Sequence, residues 1–215
     1  MGKYILGCLG LLVIGLIIFV IVAFIGGTGS YNNLVGLKQG VDAQWAEVQN
    51  QYQRRSDLIQ NLVNTVAGAA NFEKSTLIAV TQARASVGQV KIDPSHAPTD
   101  QAQLNQYAQA QNSLGGALSR LLVVTENYPD LKSNQNFLDL QAQLEGTENR
   151  IAVARNSFNT AAQSYNTSIA RFPTVFFAGM LGFTAKPYFQ AVPGAETAPK
   201  VQFDFNTPAT NAPGH

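Results

Sequence analysis

Charge is scarce in this chain, and so are the residues on which catalysis usually depends. Asp, Glu, Lys and Arg together make up 13% of 215 residues, about half the share usual in a soluble globular protein. With 14 Lys and Arg against 13 Asp and Glu the net charge is +1. No basic excess exists to neutralise a phosphate backbone, so nucleic-acid binding is not expected. A single cysteine rules out an internal disulfide, and two histidines beside it are too few for a Cys/His zinc site. His96 lies in a loop sequence and His215 ends the chain, so neither is placed for a Ser-His-Asp arrangement on rigid elements. There is no GxxxxGK[ST] phosphate loop and no GxGxxG following a strand. Glu145 and Glu148 share a helix face, but no partner Glu-x-x-His exists for a di-metal bundle, and the pair reads as solvated. No catalytic, cofactor-binding or metal-ligating residues are predicted, and the chain is not expected to be an enzyme.

What is abundant is apolar sequence at the start. From Tyr4 to Ile25 the run YILGCLGLLVIGLIIFVIVAFI carries no charge and no proline. As a helix it spans about 33 Å, close to the roughly 30 Å hydrocarbon core of a bilayer. It is longer than the apolar region of a cleaved signal peptide, and Gly27-Thr28-Gly29 before Ser30 makes a weak cleavage site. An uncleaved single-pass anchor is predicted, with the bilayer as its partner and Cys8 a membrane-buried thiol. Lys3 close to the run and Lys38 well beyond it lean toward an inside N-terminus and an outside body, leaving the side undecided. Residues 26–30, Gly-Gly-Thr-Gly-Ser, read as a flexible joint.

The body, 31–192, reads as long helices. Leu34, Leu37, Val41, Trp45, Val48, Tyr52, Arg55, Ile59, Leu62, Val66 and Ala69 step by three or four, which puts one stripe along one helix face. Arg55 interrupts that stripe. It is read as a snorkelling side chain, the alternative being a buried arginine paired with a carboxylate to fix register. A turn near Asn71, which is placed to cap a new helix, separates a second stripe at Leu77, Val80, Arg84 and Val87. Pro94 and Pro98 make 88–98 a loop. From Thr99 or Asp100 a third helix carries Leu104, Tyr107, Gln111, Leu114, Leu118, Leu121 and Thr125, and Gly115-Gly116 inside it suggests close approach of another backbone. The last helix has the cleanest rhythm, with Phe137, Leu140, Leu144, Thr147, Ile151, Ala154, Phe158, Ala161, Tyr165, Ser168 and Phe172 at a 3.5-residue period. Comparable helix lengths predict an all-α fold, an N-terminal transmembrane helix followed by an antiparallel up-and-down four-helix bundle.

Two apolar features follow. The stretch from Phe172 to Phe183, FPTVFFAGMLGF, is too short to span a bilayer. It is expected either at the membrane interface, with Tyr188 and Phe189 at headgroup depth, or folded back as bundle core. Residues 193–215 are rich in Pro, Ala, Thr and Asn and read as a disordered tail, although Val201, Phe203 and Phe205 alternate as an added strand would.

Several runs together resemble the LemA family. SYNNLV at 30–35, Trp45 and QYQRRSDLIQNLVNTVAGAANFEKSTLIAVTQAR at 51–84 match its first half, and LSRLLVVTENYPDLKSNQNFLDLQAQLEGTENRIAVARNSFNTAAQSYN at 118–166 its second. RFPTVFFAGMLGF at 171–183 and KPYF at 186–189 match its end. The resemblance implies a bacterial, membrane-anchored protein whose body is a four-helix bundle, and it carries over no catalytic or ligand residue. Gln60 departs from the family, where many relatives have proline, which puts a bend of the first helix in doubt. Anchor, long seams and weakly charged faces together suggest a membrane-bound scaffold or adaptor for membrane proteins or for itself, because little repulsion opposes association. The alternative is direct membrane shaping or lipid contact through 172–183.

Overall fold

A computed structural model describes the backbone of residues 2–69 and 72–190, with the side chains of 2–13 and 18–26 outside the described residues. One helix, α1, runs unbroken over Gly2–Ala67. The joint expected at 26–30 is therefore helical. Its glycines lower helix propensity by about 1 kcal/mol each without forcing a break, and the flanking turns carry the helix through. A turn at residues 68–69 ends α1, at the place where the sequence predicts one; the capping role expected of Asn71 lies outside the described residues. Then follow α2 (Lys74–Gln89), α3 (Gln101–Thr125), the short α4 (Pro129–Lys132), α5 (Gln135–Ala170) and the single turn α6 (Val175–Ala178). Asp100 caps α3 by accepting a bond from the Ala102 amide, and Asn134 caps α5 through the Asn136 and Phe137 amides.

Among the described residues there are only helices, turns and extended segments, and they form a helical bundle. Directions follow from cross-helix contacts. Trp45 meets Phe158, and Arg55 meets Glu148, so α1 and α5 run antiparallel along their length. Tyr52 meets Tyr107 and Arg55 meets Gln111, so α1 and α3 run parallel. α2 returns between them, with Arg84 donating to Ser56 and Gln60 of α1. Gln60 thus serves as an acceptor for Arg84.

The predicted stripes of α1 and α3 lie in the core. Leu34, Val41, Trp45, Val48, Tyr52, Ile59, Leu62 and Val66 of α1 are buried, as is every predicted stripe position of α3, whereas on α2 only Val80 of the predicted stripe is buried. On α5 most of the stripe to Tyr165 is buried, with Ala162 in place of the predicted Ala161 and Leu140 half-buried, but Phe172 is 80% exposed, because the helix ends at Ala170 and the chain turns away. Two apolar clusters result. The first joins Leu34 to Tyr52 with Tyr107, Ile151 and Phe158, and the second joins Leu58 to Val66 with Leu114 to Leu121 and Phe137 to Leu144.

Between the clusters lies a polar layer around Arg55. Its side chain is 4% exposed and donates to Glu148 at 2.9 Å and to the carbonyl and side-chain oxygens of Gln111. The snorkelling expected of Arg55 is corrected to a buried ion pair, and Glu148 is its partner rather than a solvated neighbour of Glu145. Nothing in a heptad pattern tells the two apart, since both place the guanidinium on the stripe. Burial pushes the Tyr52 hydroxyl up to about 12, against opposing attraction from Arg155 and Arg55. Gly115 and Gly116 have no neighbour within 4 Å of an added Cβ, so the close backbone approach expected there is not present. Gly115 instead borders an open groove of about 440 Å³ shared with Leu118 of α3 and Leu144 of α5.

Among the described residues no helix is long and apolar enough to cross a membrane. The predicted span 4–25 belongs to the helical start of α1, where most side chains lie outside the described residues. Of those that are described, Ile14, Leu16 and Ile17 are 56, 63 and 52% exposed. The tail predicted at 193–215, with Val201, Phe203 and Phe205, lies outside the described residues as well.

Candidate membrane-contacting end of the bundle

The chain leaves α5 at Arg171 and builds a cap over the end of the bundle from which the apolar start of α1 emerges. Tyr31 of α1 packs edge-on against Phe183, with ring centroids 5.7 Å apart. α6 closes in a glycine-terminated turn. The Phe183 amide donates to the Ala178 carbonyl at 2.9 Å and the Gly182 amide to Gly179 at 3.2 Å, with Gly182 at φ +79°. This six-to-one and five-to-two pairing needs a left-handed residue, which glycine adopts without strain, and it brings the residue after it back against the helix. Ala178 and Phe183 are buried by that contact.

The same turn leaves the other apolar side chains outside. Phe172 is 80% exposed, Phe176 71%, Met180 87%, and Val175 and Leu181 50% each. Scattered exposed apolar residues are ordinary on a protein surface, whereas five within ten residues on one end form a contiguous patch. The expectation that 172–183 folds back as core is realised in part: Thr174, Ala178 and Phe183 join the bundle end, Phe177 is half-buried, and Phe172, Val175, Phe176, Met180 and Leu181 face outward.

Beyond Phe183 the chain runs extended over residues 184–190 and is gripped by side-chain amides. Asn166 accepts from the Lys186 amide and donates to its carbonyl, both at 2.8 Å. Asn159 does the same for Phe189 at 2.9 Å, and Gln101 for Tyr188 at 3.2 and 3.0 Å. Each amide satisfies one backbone donor and one acceptor that no sheet partner is present to satisfy. Phe189 is buried against Trp45, Phe158 and the Arg155 guanidinium. The headgroup depth expected of Tyr188 and Phe189 is thus corrected: Phe189 completes the aromatic core, and the Tyr188 hydroxyl bonds Asn166. Lys186 is 5% exposed, with Nζ donating to the Ala97 carbonyl at 2.7 Å and 4.0 Å from Asp42. Burial lowers its pKa, and the Asp42 carboxylate works against that shift.

The loop 90–98 is held by α1 together with the strap, the strap through the Lys186 bond to Ala97. Trp45 Nε1 donates to the Asp93 carbonyl at 2.9 Å, and the Ala97 amide donates to Asp42. His96 of this loop is exposed and lies 2.9 Å from the Asp93 carboxylate. The Ser95 amide, and then His96, hold that carboxyl below its usual range. Sequence reading gave no signal for the strap, because asparagine and glutamine on an α5 or α3 face look like ordinary solvated positions.

Fold and site together define an all-helical bundle with one apolar, strap-closed end. The sequence profile of the LemA family matches residues 44–203, and the chain belongs to the LemA family. Among its relatives are Magnetosome protein MamQ 1 and MamQ 2 of Paramagnetospirillum magneticum, each 29% identical over 182 residues, covering 78% of this chain and 67% of theirs. Protein LemA of Metamycoplasma hominis is 26% identical over 181 residues, covering 84% of this chain and 75% of its own.

Proposed function

We propose that the protein is a single-pass scaffold of a bacterial plasma membrane, a non-catalytic helical bundle that gathers membrane-protein partners or copies of itself. Residues 4–25 are its anchor and 31–192 its bundle. The observation that carries this reading is the coincidence at one end of two apolar surfaces: the emerging start of α1, with Ile14, Leu16 and Ile17 exposed, and the patch of Phe172, Phe176 and Met180. Only about 9 Å of helix separates Ile25 from Tyr31, and Tyr31 touches Phe183 at the cap. A bundle seated in this way presents its weakly charged flanks sideways, parallel to the membrane, toward neighbouring proteins. Two relatives bear the name Magnetosome protein, and that name supports the reading of a membrane-associated role.

Photo-crosslinkers placed at exposed flank positions such as Val153, 67% exposed, test the scaffold in native membranes. Crosslinks to a reproducible protein neighbour or to a second copy are expected. Uncrosslinked monomer at every flank position contradicts the proposal.

A second reading, direct membrane shaping, draws on the shallow wedge that Phe172, Phe176 and Met180 form. Full-length protein reconstituted into vesicles separates the two, because shaping narrows or tubulates the vesicles as protein density rises and a scaffold leaves their diameter unchanged.

A further inference from the structure

Beside the apolar patch, on the same end of the molecule, lies a groove of about 400 Å³ between the start of the α1 bundle segment and the end of α5. Its walls are polar, and most of their donors are uncommitted. Asn33, Gln163, Thr167, Ser168 and Arg171 line it and make no hydrogen bond or ion pair among the described residues, whereas Ser164, also in its wall, bonds the Thr160 carbonyl. Elsewhere on these helices comparable side chains are used: Thr160 bonds a backbone carbonyl one turn back, and Asn159 and Asn166 grip the strap.

The two chain segments that wall the groove carry cations and no carboxylate. Residues 26–41 hold Lys38 and no carboxylate, and residues 163–190 hold Arg171 and Lys186 and no carboxylate. Lys186 is turned inward toward Asp42, which leaves Arg171 and Lys38 as the outward cations. Arg171 directly precedes Phe172, so the guanidinium stands on the rim between the patch and the groove. Asn33 lies eight residues beyond Ile25, about 12 Å up the helix. The headgroup layer extends roughly 5 to 7 Å outside the hydrocarbon, and a long arginine stem reaches back toward it with its charge in the polar zone.

We propose that this groove binds the headgroup of an anionic phospholipid at its membrane-proximal end, with Arg171 pairing the phosphate and the Thr167 and Ser168 hydroxyls and the Asn33 amide bonding its oxygens. The acyl chains then continue past Phe172 and Phe176 into the bilayer. The inference rests on the seating of this end against lipid, and it adds which lipid class the end selects. Donors without acceptors suit a phosphodiester, and a planar guanidinium suits its paired oxygens.

Native mass spectrometry of the full-length protein in neutral-detergent micelles tests it, with phosphatidylglycerol, phosphatidylcholine and inorganic phosphate titrated separately. Phosphatidylglycerol adducts are expected to exceed phosphatidylcholine adducts. Arg171→Gln should lower phosphatidylglycerol occupancy by about five-fold, the worth of one basic residue at an anionic surface, and Arg171→Lys should retain most of it. Thr167→Ala with Ser168→Ala, both at surface positions that leave the core untouched, should weaken it in the same direction. Equal retention by the wild type and Arg171→Gln, or equal binding of the two lipids, overturns the proposal. So does inorganic phosphate that occupies the site as well as the lipid, because the ligand is then a soluble anion. Depth measurement at Phe176 is independent of these arms. A patch that enters lipid while Arg171→Gln has no effect removes the headgroup site and leaves the seating intact.

Discussion

At the residue scale the sequence and the structure part company at Gly115 and Arg55. A glycine pair inside a helix ordinarily marks a tight crossing, yet an added Cβ at either position meets nothing within 4 Å. Gly115→Ala should therefore stabilise the protein by about 0.5 to 1 kcal/mol through helix propensity and a less flexible unfolded chain. Chemical denaturation reads this directly, and a loss of stability contradicts the open geometry. Arg55 is buried with one good partner, and the Glu148 side of the pair is 44% exposed. Glu148→Gln keeps an acceptor oxygen but removes the charge that balances the buried guanidinium, and should cost about 2 kcal/mol, below the usual figure for a buried pair because Glu148 is partly solvated. Arg55→Met removes the charge along with the need for a partner and should stay within about 1 kcal/mol of the wild type. Tyr52 makes the pH prediction. Its folded pKa of about 12 stands above the ordinary 10.0, so the folded state holds that proton more tightly. Its stabilising effect is complete below pH 10 and is lost as pH rises toward 12, amounting to about 2 to 3 kcal/mol. Denaturation at pH 9 and pH 11 should show the loss in the wild type, and a much smaller one in Tyr52→Phe.

At the scale of elements, legibility followed the origin of stability. α3 was readable position by position, because its seven predicted stripe residues are buried and burial of apolar area leaves a period in the sequence. The α1 stripe was readable for the same reason, and the Gly-rich joint was misread because composition alone cannot separate a weak helix from a break. α4 and the strap 184–190 left no period. The strap is held by Asn159, Asn166 and Gln101, whose partners are backbone groups more than 18 residues away, and an amide side chain carries no trace of its partner. Asn159→Ala removes both bonds to Phe189 at once. It should raise amide exchange across 186–190 by at least about ten-fold, given about 1 kcal/mol net per bond, while α1 and α5 remain protected. Exchange unchanged at Phe189 would show that aromatic packing alone holds the strap.

At the scale of the whole molecule, one asymmetry organises everything else. The end of the bundle beyond Val123 and Leu131 closes on a four-residue helix and ordinary turns, and the opposite end gathers Tyr31, α6 and the strap beneath an outward apolar face. The apolar start of α1 leaves from that same end. Under the proposed function the bilayer would cover a patch so placed, and the bundle would stand upright on the membrane with its flanks free.

The most direct test is the depth of α6. Full-length protein carrying Phe176→Cys and Cys8→Ala is labelled with an environment-sensitive fluorophore and reconstituted into vesicles, with Val123→Cys, 66% exposed near the opposite end, as the reference site. Headgroup nitroxide lipids should quench the label at 176 while aqueous iodide does not reach it, and the label at 123 should show the reverse. Iodide quenching at 176 equal to that at 123 would mean that this end faces water and that the bundle does not sit on the membrane.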